Sequence, residues 1–354
     1  MPAPLPDPGF WTGRRVLLTG HTGFKGAWTA LWLHRMGARV SGIALPPEEL
    51  SLYNLLRLDR IIESGFVDLR DGPEIARAVR RAEPDIVLHM AAQPLVRRSL
   101  AAPAESFAVN VLGTVHVLDA LREMPGLSTV LVVTTDKVYA NDESGHAYAE
   151  TDRLGGKDPY SASKAACEIA TAAMAHSFLA PSGIAVATAR AGNVIGGGDF
   201  AVDRLVPDIV RAARAGRQPV LRNPDATRPW QHVLDCVCGY LLYVAGLAAG
   251  RTLPLTLNFG PGNTLRATVG ELADAMLQAL DQPSSWAHFS ERRMPEARAL
   301  AINSHLARRT LGWTDRLRGS ALIGTTAAWY RAWTRGEDML EVSLGQIAEY
   351  EALS

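Results

Sequence analysis

The chain has 354 residues, and its 36 basic and 36 acidic side chains give a formal net charge of zero. This length exceeds the usual size of one domain, which predicts one large domain with a smaller one inserted or appended. The balanced charge gives no electrostatic case for a nucleic-acid partner or an anionic membrane. We therefore expect a small, specific ligand and neither of those partners.

The cysteines and the N-terminus predict a cytoplasmic protein without a metal. Cys167, Cys236 and Cys238 are too few for a disulfide framework, and the spacing of the last two lacks the second pair that a zinc site needs. The first residues carry neither the basic nor the apolar segment of a leader, and no apolar run approaches the roughly twenty residues of a membrane span.

A glycine-rich turn follows the first predicted strand, Arg15–Thr19, and a helical pattern then continues to Met36. Glycine lets a pyrophosphate approach the backbone at the N-terminus of a helix. The turn therefore favours dinucleotide binding, although the glycines alone fit an ordinary strand-to-helix turn equally well. The residues concerned are Gly20, Gly23, Phe24, Lys25 and Gly26.

The second predicted strand, Arg39–Ala44, ends in Leu45-Pro46-Pro47. It lacks both the acid that usually binds the ribose hydroxyls of NAD and an arginine for the 2′-phosphate of NADP. Asp68 ends the next strand and can meet an adenine amino group, although a solvated acid fits its position equally well.

The later pattern alternates strands with helices. Further strands are predicted at Gly65–Asp68, Ile86–Met90, Thr129–Thr134, Gly183–Arg190 and Leu255–Phe259, with helical patterns at 103–122, 203–215 and 334–354. This alternation predicts an α/β fold, a doubly wound parallel (Rossmann) sheet with ligands at the carboxyl ends of its strands. We assign residues 1–186 and 232–260 to this sheet domain, and residues 187–231 and 261–354 to a smaller, interwoven substrate-binding lid domain.

Tyr160 and Lys164 lie on a predicted helix that begins near Pro159, about one turn apart on one face. A nearby ammonium favours phenolate, so we expect the pKa of Tyr160 to fall below its free value of about 10. An isolated pair of this kind is more often a solvated surface feature. Here the glycine turn, the segment Thr134–Lys137 and this pair converge on one crevice of the sheet, which favours a redox site.

Six motifs together resemble the extended short-chain dehydrogenase/reductase family, and within it the CDP-glucose 4,6-dehydratase branch. The resemblance runs from about Arg14 to Trp333. The motifs are Gly20–Gly26, Ala91–Arg98, Thr135–Tyr139, Leu154–Tyr160, Arg190–Asp199 and Arg228–His232.

The resemblance implies a reaction in which bound NAD is reduced and then reoxidised. Tyr160, assisted by Lys164 and Thr135, removes the proton from the C4 hydroxyl of the sugar. Asp136 protonates the departing C6 hydroxyl, and Lys137 is the base or the proton handler at C5 and C6. Related dTDP-sugar enzymes carry an Asp-Glu pair at these two positions, so Lys137 departs from that pattern and matches the CDP-sugar one.

The resemblance also implies the ligand contacts. NAD is expected at Gly20, Gly23, Phe24, Lys25, Gly26, Asp68, Leu69, Ala91, Ala92, Gln93, Asn110, Tyr160 and Lys164. The nucleotide sugar, CDP-glucose, is expected at Arg98, Asn193, Arg204, Leu205, Arg228 and Glu296, while Arg97 is expected to be solvated. A homodimer or a dimer of dimers is expected, with a role in deoxysugar and O-antigen biosynthesis.

Two other functions fit parts of the pattern. A nucleotide-sugar 4-epimerase or 4-ketoreductase shares the sheet, the glycines and the Tyr160–Lys164 pair, but does not need the acid and base at Asp136 and Lys137. A non-catalytic NAD(P)-sensing regulator would be favoured by loss of the tyrosine or the lysine, and both are present. The preference for NAD over NADP and for the cytosine base rests on the resemblance.

Overall fold

The computed structural model describes residues 3–262, 266–289 and 300–353. Its strands, in chain order, are β1 (Arg15–Thr19), β2 (Arg39–Ala44), β3 (Glu63–Phe66), β4 (Ile86–His89), β5 (Thr129–Val133), β6 (Ala147–Tyr148), β7 (Ala185–Ala191), β8 (Val194–Ile195), β9 (Val220–Leu221), β10 (Thr227–Pro229), β11 (Gln231–His232), β12 (Thr256–Phe259), β13 (Arg266–Thr268), β14 (Ala287–His288) and β15 (Ala301–Ile302).

The α-helices, in the same order, are α1 (Pro8–Trp11), α2 (Phe24–Arg35), α3 (Leu52–Leu55), α4 (Gly72–Ala82), α5 (Val96–Ala101), α6 (Pro103–Phe107), α7 (Gly113–Ala120), α8 (Pro159–Met174), α9 (Leu205–Arg214), α10 (Val233–Ala248), α11 (Val269–Ala279), α12 (His305–Leu311), α13 (Ser320–Thr334) and α14 (Met339–Ala352). Short 3₁₀ turns lie at Leu58–Arg60, Asp136–Val138 and Ala180–Ser182, and π-helical turns at Ala108–Leu112 and Ala175–Leu179.

A parallel sheet of seven strands forms the centre, in the order β12-β7-β5-β4-β1-β2-β3. The central strands β4 and β5 are buried along their whole length, as is usual where helices cover both faces of a parallel sheet. The predicted doubly wound α/β fold is confirmed. The bounds predicted for β1 and β2 match the structure, whereas β3 ends at Phe66 and leaves Asp68 in the following loop.

The core has one layer on each face of the sheet. On one face, α2 and α10 contribute Trp28, Trp32, Val237 and Tyr240. On the other face, α4, α7 and α8 contribute apolar side chains such as Ile75, Val117 and Cys167. The apolar sequence of α10 continues around the whole helix and not along one stripe, which explains why α10 is buried almost throughout.

Short two-stranded pieces outside this sheet are formed by β10 with β13, β11 with β8, β14 with β9, and β15 with β6. The division of the chain into a sheet domain and a lid domain stays a prediction. Within the described ranges, no helix is long and apolar enough to cross a bilayer.

The C-terminal helix α14 packs next to α10 through a buried carboxylate. Asp235 on α10 accepts hydrogen bonds from the backbone N–H groups of Arg316 at 2.6 Å and Leu317 at 3.2 Å, and from the hydroxyl of Tyr350 at 2.9 Å. Burial raises the pKa of Asp235 to about 7, and the nearby charge of Asp315 acts in the same direction. The protonated carboxyl is therefore the form that the fold favours.

This buried acid predicts a pH dependence of stability. Because the folded state holds its proton up to about pH 7 and the unfolded state releases it near 3.8, its stabilising contribution is complete below pH 4 and is lost as the pH rises to 7. We expect Asp235→Asn to remove this downward slope from the thermal midpoint measured between pH 5 and 8.

Three buried histidines also make the stability depend on pH, and their contribution has to be separated from that of Asp235. Burial lowers the pKa of His21 to about 4 and the pKa values of His89 and His232 to about 3, so they give stability a slope of the opposite sign. The comparison is therefore the difference between the wild type and Asp235→Asn at each pH. Parallel profiles for the two proteins would contradict the assignment to Asp235.

Candidate active site

The glycine turn brings the backbone of β1 against the segment that follows β4. Gly20 has φ of +81°, and a Cβ there would lie 2.8 Å from the backbone nitrogen of Ala91. A Cβ on Gly26 would lie 2.0 Å from the carbonyl oxygen of Gly20. Helix α2 begins at Phe24 without an acidic side chain in its first turn. The turn therefore fits a pyrophosphate, since the N–H groups at a helix N-terminus favour an anion.

Lys25 adds a cation to this crevice. Its ammonium lies 5.9 Å from the centre of the Tyr240 ring. Burial lowers its pKa, and the charges of Arg204 and Lys164 lower it further, while Asp136 opposes them. The predicted cofactor residue Lys25 and the predicted catalytic residues therefore share one electrostatic environment.

The loop after β4 is joined to the catalytic helix by one amide. The side chain of Asn110 accepts a hydrogen bond from the backbone of Gln93 at 2.8 Å and donates to the hydroxyl of Ser163 at 2.9 Å. This places the predicted cofactor residues Ala91, Ala92 and Gln93 beside α8. The pattern of small residues predicts room for a ligand here, but it does not reveal this connection.

Helix α8 begins with a well-formed N-terminus. Asp158 accepts hydrogen bonds from the backbone of Ser161 at 2.9 Å and from its hydroxyl at 2.6 Å, and Pro159 occupies the first turn. The backbone of Tyr160 donates to the hydroxyl of Ser99 at 3.1 Å. These contacts fix the start of the helix that carries Tyr160 and Lys164.

The expectation that Lys164 lowers the pKa of Tyr160 is wrong in this structure. The ammonium of Lys164 donates to the carbonyl oxygen of Val133 at 2.9 Å. Burial raises the pKa of Tyr160 to about 12, and the opposing effects come from a hydrogen bond with Thr135 and from the charge of Arg204. Removal from water therefore outweighs the cations around this phenol.

The turn Thr135–Val138 carries the predicted acid. The hydroxyl of Thr135 donates to Asp136 Oδ1 at 3.1 Å, while Oδ2 has no hydrogen-bond partner within the described ranges. Burial raises the pKa of Asp136, and the charges of Lys137, Arg228 and Lys25 only partly oppose it. Asp136 therefore keeps its proton to a higher pH than an exposed aspartate, as an acid catalyst requires.

The surroundings of the turn bring acid, lysine and phenol together. The ammonium of Lys137 lies 6.0 Å from the centre of the Tyr160 ring. A Cβ on Gly192 would approach Pro229 to 2.8 Å and Asp136 Oδ2 to 3.3 Å, so only a glycine leaves this space beside the carboxylate. The five predicted catalytic residues thus lie near one another, beside the carboxyl ends of β5 and β7.

Several predicted substrate residues also border the crevice. Arg204, directly before α9, lies 3.9 Å from Asp199, and its charge acts on both Lys25 and Tyr160. Arg228 is buried and its charge acts on Asp136. Leu205 begins α9, and the backbone carbonyl of Asn193 accepts from Gln231.

Other predicted residues are placed differently. Arg98 is more than half exposed and pairs with Glu105 at 2.7 Å, so its position does not support a substrate contact. Arg97 was expected to be solvated; its side chain is 40% exposed and also pairs with Asp203 at 2.8 Å.

Three further predicted residues lie in the loop after β3 or outside the described ranges. Asp68 pairs with Arg70, and the hydrogen bonds from Arg70 lower the pKa of Asp68. Leu69 is buried beside it. Glu296 lies outside the described residues.

Sequence reasoning also missed a buried polar contact under the crevice. His89, the last residue of β4, lies 2.7 Å from Thr19 Oγ1 through Nδ1 and 3.0 Å from Thr114 Oγ1 through Nε2. The position of a histidine at the end of a predicted strand was the available signal. The contact ties β1 and β4 to α7 below the predicted cofactor loop.

The comparisons with known proteins agree with this geometry. The model of the GDP-mannose 4,6 dehydratase family matches residues 17–326. A CDP-glucose 4,6-dehydratase of Salmonella typhimurium is 42% identical, over 97% of this chain and 98% of the relative. A dTDP-glucose 4,6-dehydratase from Streptomyces venezuelae, solved with bound NAD, has a TM-score of 0.78 and 25% identity, with coverage of 92% of this chain and 99% of that one. A UDP-glucose-4-epimerase from Stenotrophomonas maltophila, solved with NAD, has a TM-score of 0.79 and 25% identity, with coverage of 91% and 99%.

The tight glycine turn generates a prediction about cofactor affinity. In Gly26→Ala the added methyl group collides with the carbonyl oxygen of Gly20, so the turn must open. We expect the affinity for NAD, measured by calorimetry, to fall at least about tenfold, which corresponds to about 1.4 kcal/mol.

The matched control is Gly324→Ala. This glycine also lies within a helix, α13, but a Cβ there meets no atom within 4 Å. The control should bind NAD as the wild type does. Equal affinities for all three proteins would show that the turn does not hold the cofactor.

Proposed function

Because the chain belongs to the GDP-mannose 4,6 dehydratase family, we propose that it converts CDP-glucose to CDP-4-keto-6-deoxyglucose in an NAD-dependent 4,6-dehydration. The observation that carries the proposal is the buried acid Asp136 in the same crevice as Tyr160 and Lys137. An epimerase needs the phenol and the cofactor but has no elimination step. The identity to the Salmonella typhimurium dehydratase supports the CDP-glucose substrate.

The residues present fit NAD. The glycine turn with the N-terminus of α2 suits the pyrophosphate, and Lys25 supplies a cation beside it. Asn110 holds the Ala91–Gln93 loop next to α8, and Tyr160 and Lys164 close the other side. When bound, NAD accepts a hydride and later gives it back.

In the oxidation step, Tyr160 accepts the proton of the C4 hydroxyl. Burial raises its pKa to about 12, which must fall for this role, and the groups that lower it are the hydroxyl of Thr135, through a hydrogen bond, and the charge of Arg204. Thr135, which already forms a hydrogen bond with Tyr160, orients the phenol. The 4-keto group that results makes the C5 proton acidic.

In the elimination step, Asp136 donates a proton to the C6 hydroxyl, which leaves as water. Its raised pKa keeps the carboxyl protonated to a higher pH than that of an exposed aspartate, and Oδ2, which has no hydrogen-bond partner within the described ranges, can face a substrate oxygen. Lys137 is the base that removes the C5 proton. Its position against the Tyr160 ring keeps the acid, the base and the phenol around one sugar ring.

The nucleotide diphosphate is held by cations from the lid segment. The charges of Arg204 and Arg228 act on Tyr160 and Asp136, Leu205 begins α9 next to Arg204, and Asn193 lies between β7 and β8. Guanidinium groups bind phosphate oxygens with two parallel hydrogen bonds. Glu296 remains a proposed sugar contact from the family pattern.

The chain forms a homodimer through adjoining helices on one side of the sheet. Apolar side chains on the helices from α5 to α8 and their π-helical turns are more than one third exposed, and α8 packs against α6 and α7. These side chains are Leu100, Phe107, Leu112, Ile169 and Phe178. Exposed apolar side chains on neighbouring helices are typical of a subunit interface.

The isotope test of the proposed function follows the hydrogen at C4. CDP-glucose deuterated at C4 should give a 4-keto-6-deoxy product with deuterium at C6 and no net NADH, read by mass spectrometry and NMR. Product that retains its 6-hydroxyl, with deuterium at C4, would instead indicate an epimerase or a ketoreductase. dTDP-glucose and GDP-mannose serve as control substrates for the base preference.

A second test separates the acid from the phenol. Asp136→Asn cannot donate the proton of a carboxylic acid, but leaves Tyr160 in place, so in a single turnover we expect enzyme-bound NADH to accumulate. Release of product should fall by about 10²–10⁴. Tyr160→Phe is the matched control, because it should form neither NADH nor product. Wild-type dehydration by Asp136→Asn would place the acid at another residue.

A further inference from the structure

A buried ion pair lies directly beneath the turn Thr135–Val138. Glu168 of α8 and Arg190 of β7 have side chains that are only 4% exposed. Arg190 Nε donates to the two carboxylate oxygens of Glu168 at 2.8 and 3.0 Å, and Nη2 donates to Oε2 as well. Burial alone would lower the pKa of Arg190, but the hydrogen bonds and charge of Glu168 keep it above its ordinary value. Arg190 therefore remains charged inside the protein.

The carboxylate of this pair holds the first end of the turn. Glu168 Oε1 accepts a hydrogen bond from the hydroxyl of Thr134 at 2.5 Å, and Thr134 directly precedes Thr135. Glu168 also lies one turn beyond Lys164 on α8. One carboxylate therefore connects the helix of Tyr160 and Lys164 to the strand end from which the turn begins.

The guanidinium of the pair holds the other end. Arg190 Nη1 donates to the hydroxyl of Tyr139 at 2.7 Å, and the guanidinium lies 4.8 Å from the centre of the Tyr139 ring. Tyr139 directly follows Val138, and its hydroxyl donates onward to Asn258 Oδ1 of β12 at 2.7 Å. The same ion pair thus contacts the residues that flank the turn on both sides.

We propose that Glu168 and Arg190 are positioning residues that set the distance between the turn and the face of α8 that carries Tyr160 and Lys164. This inference rests on the proposed function for the catalytic roles of those residues. Replacing a buried ion pair by apolar side chains is often neutral or stabilising, so stability alone does not explain its presence. The hydrogen bonds of the ion pair to both flanks of one turn explain its presence, because an acid and a phenol that act on one sugar ring must keep a fixed separation.

Substitution of Glu168 itself would leave Arg190 buried without its partner and endanger folding, so the test uses the two flanking contacts. Thr134→Val and Tyr139→Phe each remove one hydroxyl and leave the ion pair intact. The matched controls are Thr188→Val, which removes a hydroxyl contact to Thr256 between β7 and β12, and Tyr243→Phe, which removes a buried hydroxyl that donates to a backbone carbonyl.

We expect each flank variant to lower kcat at least about tenfold while KM for CDP-glucose changes less than about twofold. A misplacement of about 1 Å can cost about 10² in rate. The double variant Thr134→Val/Tyr139→Phe should approach that loss. Amide hydrogen exchange of the segment 134–139 should become faster in the flank variants and not in the controls. The thermal midpoints of the flank variants and the controls should be equal.

The exchange measurement does not depend on the substrate. If the wild type fails to dehydrate CDP-glucose, the proposed function is wrong, and exchange in the segment 134–139 still decides whether the pair holds the turn. Unchanged exchange in both flank variants overturns the inference. So does faster exchange with wild-type kcat, or a loss of kcat no larger than in Thr188→Val and Tyr243→Phe.

Discussion

The exclusion of water from ionisable side chains at the carboxyl ends of the strands is the constraint on which this site depends. Burial raises the pKa values of Asp136 and Tyr160 and lowers that of Lys25, because each charged form loses its hydration. A buried group must then be neutral or paired. Burial favours the neutral forms of Asp136 and Tyr160, whereas the hydrogen bonds and charge of Glu168 keep the pKa of Arg190 above its ordinary value.

The same constraint explains why a short motif does not define a catalytic phenol. The spacing of Tyr160 and Lys164 places both on one face of α8. The ammonium of Lys164, however, donates a hydrogen bond to a backbone carbonyl at the end of β5. A buried carbonyl without a donor would be costly, so Lys164 has a structural partner in addition to its proposed role. The charge felt by the phenol comes from a lid arginine that lies over forty positions later in the chain.

Local patterns in the sequence were sufficient for the sheet, the glycine turn and the start of α8, since each depends on neighbours in the chain. The bounds of β1 and β2 follow from short apolar runs ended by glycine or proline. The features that the sequence did not predict depend on contacts between distant parts of the chain. Arg97 and Arg98 point about 100° apart on a helix, and the sequence does not give the phase of the short helix α5, so the lid contact of Arg97 was missed. The ion pair of Glu168 with Arg190 joins a helix and a strand that only the tertiary fold brings together.

The cations around the acid also connect substrate binding to proton chemistry. Arg228 opposes the rise in the pKa of Asp136, and Arg204 opposes that of Tyr160. If both guanidinium groups bind the diphosphate of the substrate, as proposed, their charge is partly neutralised. The pKa of Asp136 then rises further, which favours the protonated acid that the elimination needs. The pKa of Tyr160 rises by the same reasoning, so its lowering for the oxidation depends on the hydrogen bond with Thr135.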